Sequence, residues 1–107
     1  MINIKHIEKN AAHAVTLLKA LSNEKRLVII CSLYKEEKSV GELEIVTGLS
    51  QSALSQHLAR LRKDNIVKTR RQAQMIYYSL NDIGSQSILE CLNKIYEAPE
   101  SQKVATK

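Results

Sequence analysis

The tetrapeptide Thr47-Gly48-Leu49-Ser50 constrains this chain more than any other stretch. It separates two segments that each carry their own helix-start signal. Upstream, Ser39-Val40-Gly41-Glu42 has the serine-then-glutamate spacing of a capping box, which opens a short helix to about Thr47. Gly48 is the residue a helix C-terminus favours, because without a Cβ it enters the left-handed conformation freely. Ser50 then caps a helix from Gln51 to about Lys63, with Ala53, Leu54, Leu58 and Leu61 on one face. Two short helices joined by so tight a turn read as a helix-turn-helix.

The flanking segments build around that unit. Ile4, Ile7, Ala11, Val15, Leu18 and Leu21 recur at helical spacing and predict one amphipathic helix over residues 3–21. Ser22-Asn23 stops it and offers a fresh N-cap for a helix from Glu24 to Tyr34, with Leu27, Ile30, Cys31 and Leu33 facing inward. Lys35-Glu36-Glu37-Lys38 is a charged, solvated connection. After Asp64-Asn65, Ile66 to Arg71 and Met75 to Leu80 predict two strands around Gln72-Ala73-Gln74, with Ile76, Tyr78 and Leu80 sharing a face. Asn81-Asp82 caps a last helix to about Tyr96, which carries Ile88, Leu89, Leu92, Ile95 and Tyr96, and Pro99 terminates it. The expectation is a mainly α fold with a small β-hairpin, a winged helix-turn-helix. Its single domain covers residues 1–98, and a disordered tail covers 99–107. Phe and Trp are absent, so Leu, Ile, Val and Ala must build the core. The apolar stripes of the first and last helices exceed what so small a core can cover, so a homodimer through those two helices is expected.

The placement of charge points to a partner. The chain carries a formal net charge of +5 and a pI near 9.3, which suits nucleic acid or anionic lipid. Between Gln51 and Tyr78 the cations are Arg60, Arg62, Lys63, Lys68, Arg70 and Arg71, against the single acid Asp64. They fall on the second helix of the helix-turn-helix and on the hairpin, where a simply solvated surface would mix the signs. With Leu54, Leu58 and Leu61 turned inward, Gln51, Ser52, Ser55, Gln56 and Ala59 are left near the outward face. A recognition helix presents hydrogen-bonding side chains near its N-terminus, and Gln51 or Gln56 suits bidentate pairing with adenine. The plain alternative is an ordinary polar helix face. His57, between Gln56 and Leu58, reads from its neighbours as a half-buried helix histidine. His6 and His13, seven apart on one face of the first helix, read as solvated. Arg70 and Arg71 point to opposite sides of a strand, and the pattern leaves open which of them reaches phosphate.

Other classes recede. The longest apolar run, Leu27-Val28-Ile29-Ile30-Cys31, falls far short of the ~20 residues of a membrane span. Met1 to Asn10 alternates charged and apolar residues, unlike a signal peptide, so a cytoplasmic location with no membrane partner is expected. There, Cys31 and Cys91 are expected to be reduced thiols. Paired catalytic carboxylates, a phosphate-binding glycine loop and a Ser/His/Asp spacing are all missing, so no enzyme is expected. The competing reading is a winged-helix protein-interaction module that has lost DNA binding and senses nothing through its thiols; the basic cluster argues against it.

Together, Leu49-Ser50-Gln51-Ser52-Ala53-Leu54-Ser55-Gln56-His57-Leu58-Ala59-Arg60-Leu61-Arg62-Lys63-Asp64, Leu21-Ser22-Asn23-Glu24-Lys25-Arg26-Leu27 upstream and Tyr77-Tyr78-Ser79-Leu80 downstream resemble the ArsR/SmtB family of bacterial regulators. The resemblance spans most of residues 8–96 and is greatest to the HlyU/BigR branch. It implies a homodimer docked on a palindrome in double-stranded promoter DNA. It implies either repression relieved by an inducer or relief of silencing by competition. It supports Ser52, Ser55, Gln56 and His57 as recognition-helix residues, and Arg71 and Gln74 as wing contacts. Asn65 and Ala73 stand where many relatives have Gly. The family's metal sites do not carry over. Ser39 replaces a soft thiolate ligand, and of Asp82, Gly84, Ile95 and Ala98 only Asp82 can ligate, so neither a metal nor another cofactor is expected. The branch senses oxidants or reactive sulfur through two cysteines. Cys31 takes the first position, but Glu97 follows Ile95-Tyr96 where the second thiol stands. Cys91 lies six residues earlier, ~9 Å along a helix, whereas a disulfide needs Cα atoms within ~7 Å. A polysulfide link tolerates more, so the resemblance leaves Cys31 and Cys91 as the candidate redox-sensing thiols, and the plain alternative is that both are buried, inert apolar thiols.

Overall fold

The computed structural model describes residues 1–81 and 83–97. In chain order the elements are α1 (Ile4–Lys9), α2 (Ala11–Leu21), α3 (Glu24–Ser32), β1 (Lys38–Ser39), α4 (Val40–Thr47), α5 (Gln51–Lys63), β2 (Val67–Gln72), β3 (Met75–Leu80) and α6 (Ile83–Glu97). The architecture is a winged helix-turn-helix: helices packed around one core, with a three-stranded antiparallel sheet of order β1-β3-β2.

The long first helix expected over residues 3–21 is broken at Asn10. The Asn10 side-chain amide donates to the His6 carbonyl at 2.8 Å, and its backbone leaves the helical region at φ −108°, ψ 20°. Asparagine competes with the helix for its own carbonyls, and here it wins. α3 also ends at Ser32, short of the expected Tyr34. Its buried side is Ile29 and Ile30, continued by Leu33, so Cys31 falls on the far side and is exposed, contrary to the inward placement read from the pattern.

Asn23 caps α3 by accepting from the Arg26 amide at 3.0 Å. The Arg26 guanidinium then reaches back to the end of α2, where Nε donates to the Ala20 carbonyl at 2.6 Å and Nη2 to that of Lys19 at 3.2 Å. One residue thereby closes the α2–α3 corner. At the other end of α3, the Tyr34 hydroxyl donates to the Glu90 carboxylate at 2.6 Å and fastens α6 alongside; that bond and the negative charge beside it raise the Tyr34 pKa.

The core joins Ala20 and Leu21 of α2 to Ile29, Ile30 and Leu33, Leu43 of α4, the leucines of α5, Ile66, Val67 and Leu89 of α6. Val67 pairs with Leu80, Thr69 with Tyr78 and Arg71 with Ile76, so these share one face of the hairpin. Val67, Tyr78 and Leu80 pack on the core, and Arg71 and Ile76 continue that face towards the tip. The sequence pattern missed β1, whose two residues pair Lys38 with Tyr78 and Ser39 with Tyr77. Strand β2 is shifted by one residue from the expected 66–71: the Ile66 amide donates back to the Leu61 carbonyl at 2.9 Å, closing the end of α5, and strand pairing begins at Val67. The expected cap at Asp82, the stop at Pro99, the domain limit at residue 98 and the tail over 99–107 lie outside the described residues.

Candidate nucleic-acid interface

The turn between α4 and α5 is held from both sides. Ser39 Oγ accepts from the Glu42 amide at 3.2 Å, while the Glu42 carboxylate accepts from the Ser39 amide at 2.8 Å, so the capping box is complete. α4 ends on Gly48 at φ 70°, the left-handed conformation that any Cβ would strain. The Thr47 hydroxyl donates to the Leu43 carbonyl at 2.7 Å and accepts from the Leu49 amide at 3.2 Å. Ser50 caps α5 by accepting from the Ala53 amide at 3.2 Å. The start of α5 is therefore set by local bonds, and its rotation is set by packing, with Leu54, Leu58 and Leu61 all buried.

That rotation leaves Gln51, Ser52, Ser55, Gln56 and Ala59 exposed and His57 half-buried. Ser52 has only a long 3.5 Å approach to the Ser50 hydroxyl, and Gln51, Ser55 and Gln56 have no side-chain partner among the described residues. Polar groups at the N-terminal end of a helix, facing water with their donors and acceptors unused, are what reading base edges requires.

The cations divide into two groups. Arg60 pairs with Asp64 one turn later, Nε to Oδ2 at 2.9 Å. Arg70 grips Glu37 with two nitrogens, Nε to Oε1 at 3.0 Å and Nη2 to Oε2 at 2.6 Å. Its third nitrogen donates to Gln72 at 2.7 Å, and its plane lies 4.6 Å from the Tyr77 ring centroid. The hydrogen bonds from Arg70 lower the Glu37 pKa, against an opposing effect of desolvation, and raise that of Arg70 itself. Arg62, Lys63, Lys68 and Arg71 have no ion pair among the described residues. Gln74, in the turn between β2 and β3, is exposed.

Glu37, Asp64 and Tyr77 shape this surface; the sequence marks Asp64 as the one acid among these cations but assigns none of the three to a cation. Asp64 stands four residues after Arg60, which is a readable signal. The Arg70–Tyr77 pair follows once the hairpin register is known, but Glu37 is brought near only by β1. An open cleft of about 330 Å³ lies beside α2, lined by His13, Asp64, Asn65 and Asn81 among others. Its Asp64 is committed to Arg60, and its Asn81 side chain donates to the Asn65 carbonyl. Among the described residues no group of three or more His, Cys, Asp or Glu is arranged to hold a metal ion. Both thiols are free and exposed, and partial burial raises the Cys31 pKa. No described helix is long and apolar enough to cross a membrane.

Residues 23–69 match the family described as "Bacterial regulatory protein, arsR family". The chain is 50% identical over 95 residues to the transcriptional activator HlyU of Vibrio cholerae, covering 89% of this chain and 88% of that protein. The solved structure of reduced HlyU from Vibrio cholerae superposes with a TM-score of 0.79 at 51% identity, over 86% of this chain and 97% of the other. The transcriptional repressor BigR from Xylella fastidiosa superposes with a TM-score of 0.85 at 39% identity, over 92% and 100%.

Proposed function

The chain belongs to the ArsR family of bacterial regulatory proteins, and from that premise we propose that it regulates transcription by binding, as a homodimer, a two-fold symmetric site in promoter DNA. One observation carries the reading: α5 is capped, turned and packed so that Gln51, Ser52, Ser55 and Gln56 face outward with their hydrogen-bonding groups unused. Arg62, Lys63, Lys68 and Arg71 supply the charge for phosphates around that face. The dimer rests on apolar side chains that one copy leaves in water, at Ile4, Ile7, Val15 and Leu18 of α1 and α2, and Ile83, Ile95 and Tyr96 of α6. A bound dimer acts by occupancy. It represses where it blocks polymerase and activates where it displaces a silencer, and an activator and a repressor both stand among the similar proteins.

A thiol input is the second part of the reading. Exposure opens Cys31 and Cys91 to oxidants and reactive sulfur. Partial burial raises the Cys31 pKa, which disfavours the thiolate that reacts.

The test is a fluorescence anisotropy titration of the DNA upstream of the chain's own gene, across a salt series. Tight, salt-dependent binding with two protomers per site is expected. Arg71→Ala lowers the salt slope by ~1 per protomer. Weak, salt-independent binding would favour the protein-interaction module instead. Persulfide treatment is expected to lower DNA affinity in the parent and to leave Cys31→Ser unchanged. Equal responses would remove Cys31 from sensing.

A further inference from the structure

Arg70 is the one wing arginine whose nitrogens are all engaged: Nε and Nη2 by the two Glu37 oxygens, Nη1 by Gln72. The sheet register explains how it gets there. Arg70 pairs with Tyr77 and Tyr77 pairs with Ser39, so the three form a row across all three strands. Glu37 precedes Ser39 by two residues on the opposite edge of the sheet from Arg70. The arginine side chain therefore crosses the middle strand, lies over the Tyr77 ring and hooks the loop beyond β1.

Such a crossing has mechanical meaning because the wing has little else to hold it. β1 spans only Lys38–Ser39, and beyond it the hairpin is a two-stranded ribbon, which is marginal by itself. A single exposed ion pair contributes little. Here a planar fork meets a carboxylate with both prongs, and the same guanidinium stacks on an aromatic ring. For Arg70 to take a phosphate it must surrender both Glu37 bonds and leave a carboxylate beside the DNA.

We propose, on the reading that the chain binds DNA, that Arg70 is a positioning residue: it straps the wing to the loop at Glu37 and fixes the angle at which Arg71 and the tip meet DNA, and it does not itself contact phosphate. The role belongs to the pair, so Glu37, an acid on a basic face, is required for DNA binding rather than opposed to it.

The test uses the full chain with Glu37→Gln, Arg70→Gln and the double variant. Hydrogen exchange is first followed without DNA at the wing amides of β2 and β3. Exchange is expected to quicken about two- to fivefold in either single variant, and no further in the double. Affinity and its salt dependence are then measured on a labelled duplex of the DNA upstream of the gene. Arg70→Gln is expected to weaken binding with the salt slope of the parent, and Glu37→Gln to weaken it as well. A loss of ~1 in slope per protomer in Arg70→Gln, with tighter binding by Glu37→Gln, would make Arg70 a phosphate ligand and overturn the strap. Unchanged wing exchange in both single variants would overturn it as well. If the parent binds no duplex, the DNA reading fails by itself, and the exchange measurement still decides whether the strap exists.

Discussion

Replacing Arg26 with Met should destabilise the domain by about 1.5–3 kcal/mol. Methionine keeps most of the apolar stem and removes every donor, so the loss isolates the hydrogen bonds. The short bond to the Ala20 carbonyl is partly buried, and Ala20 itself is fully buried, so that acceptor has no water to turn to. Its loss accounts for most of the effect, since an orphaned buried acceptor carries its full desolvation penalty. The longer bond to the Lys19 carbonyl is exposed and adds little. The favourable meeting of a cation with the C-terminal end of α2 adds a few tenths to ~1 kcal/mol within the same total. Urea unfolding followed by circular dichroism is the assay. A slope of ~2 kcal/mol/M, ordinary for small proteins, converts the loss to a midpoint lowered by roughly 1 M. Protein concentration must be held constant, because dimerisation adds its own stability. Arg26→Lys restores the charge with different geometry and is expected to fall between the two. A midpoint within ~0.2 M of the parent in Arg26→Met would refute the idea that this guanidinium closes the α2–α3 corner.

Gln56→Ala is expected to cost ~1–3 kcal/mol on the cognate duplex and almost nothing on a scrambled one in competition titrations, and equal losses would remove Gln56 from base reading. Ser85 on α6 is completely buried, with a hydroxyl that lacks a partner among the described residues. Ser85→Ala should therefore raise stability by about 1 kcal/mol in the same urea assay, and a loss would show that this hydroxyl is bonded in solution. The Glu37 carboxyl, followed by NMR, should titrate below the ordinary ~4.3, and it should return there in Arg70→Gln. Because its folded pKa is depressed, its stabilising effect is present above ~4.3 and is lost as pH falls through the lower folded value, so wing protection should survive at pH 5.

What was legible from the sequence followed from local chemistry. Ser39, Glu42, Gly48 and Ser50 announce their roles through spacing alone, and each is found in that role. The leucine face of α5 is equally plain, because burial and helical period coincide at Leu54, Leu58 and Leu61. What was missed depends on contacts made after folding. The apolar period runs unbroken through residue 10, and only the Asn10 side chain bonding to His6 shows where the helix yields. β1 is too short to have a period, and it exists because β3 is there to pair with it. Cys31 follows two buried isoleucines and shares their apolar character, yet it lies one helical step beyond their face. Ala73 holds φ 57° in the wing turn, a left-handed position where Gly would be unstrained, so the turn is imposed by the strands on either side of it.

The division of the cations alters the electrostatic reading in a measurable way. Counted from sequence, Arg60, Arg62, Lys63, Lys68, Arg70 and Arg71 all belong to the DNA-facing charge. In the folded chain Asp64 and Glu37 hold two of them, and the positions left for phosphate are Arg62, Lys63, Lys68 and Arg71. If every free cation of both protomers met a phosphate, log K would fall with log salt at a slope of about −7, whereas the full set would give about −11. The smaller figure is an upper bound on steepness, since some of these side chains stay in water. A measured slope steeper than about −8 that returns towards about −7 in Arg60→Gln or in Arg70→Gln would mean that DNA draws that arginine away from its carboxylate. A shallower slope, unchanged in Arg60→Gln and in Arg70→Gln, would mean that the two acids act within the interface as supports, each holding an arginine where the fold needs it.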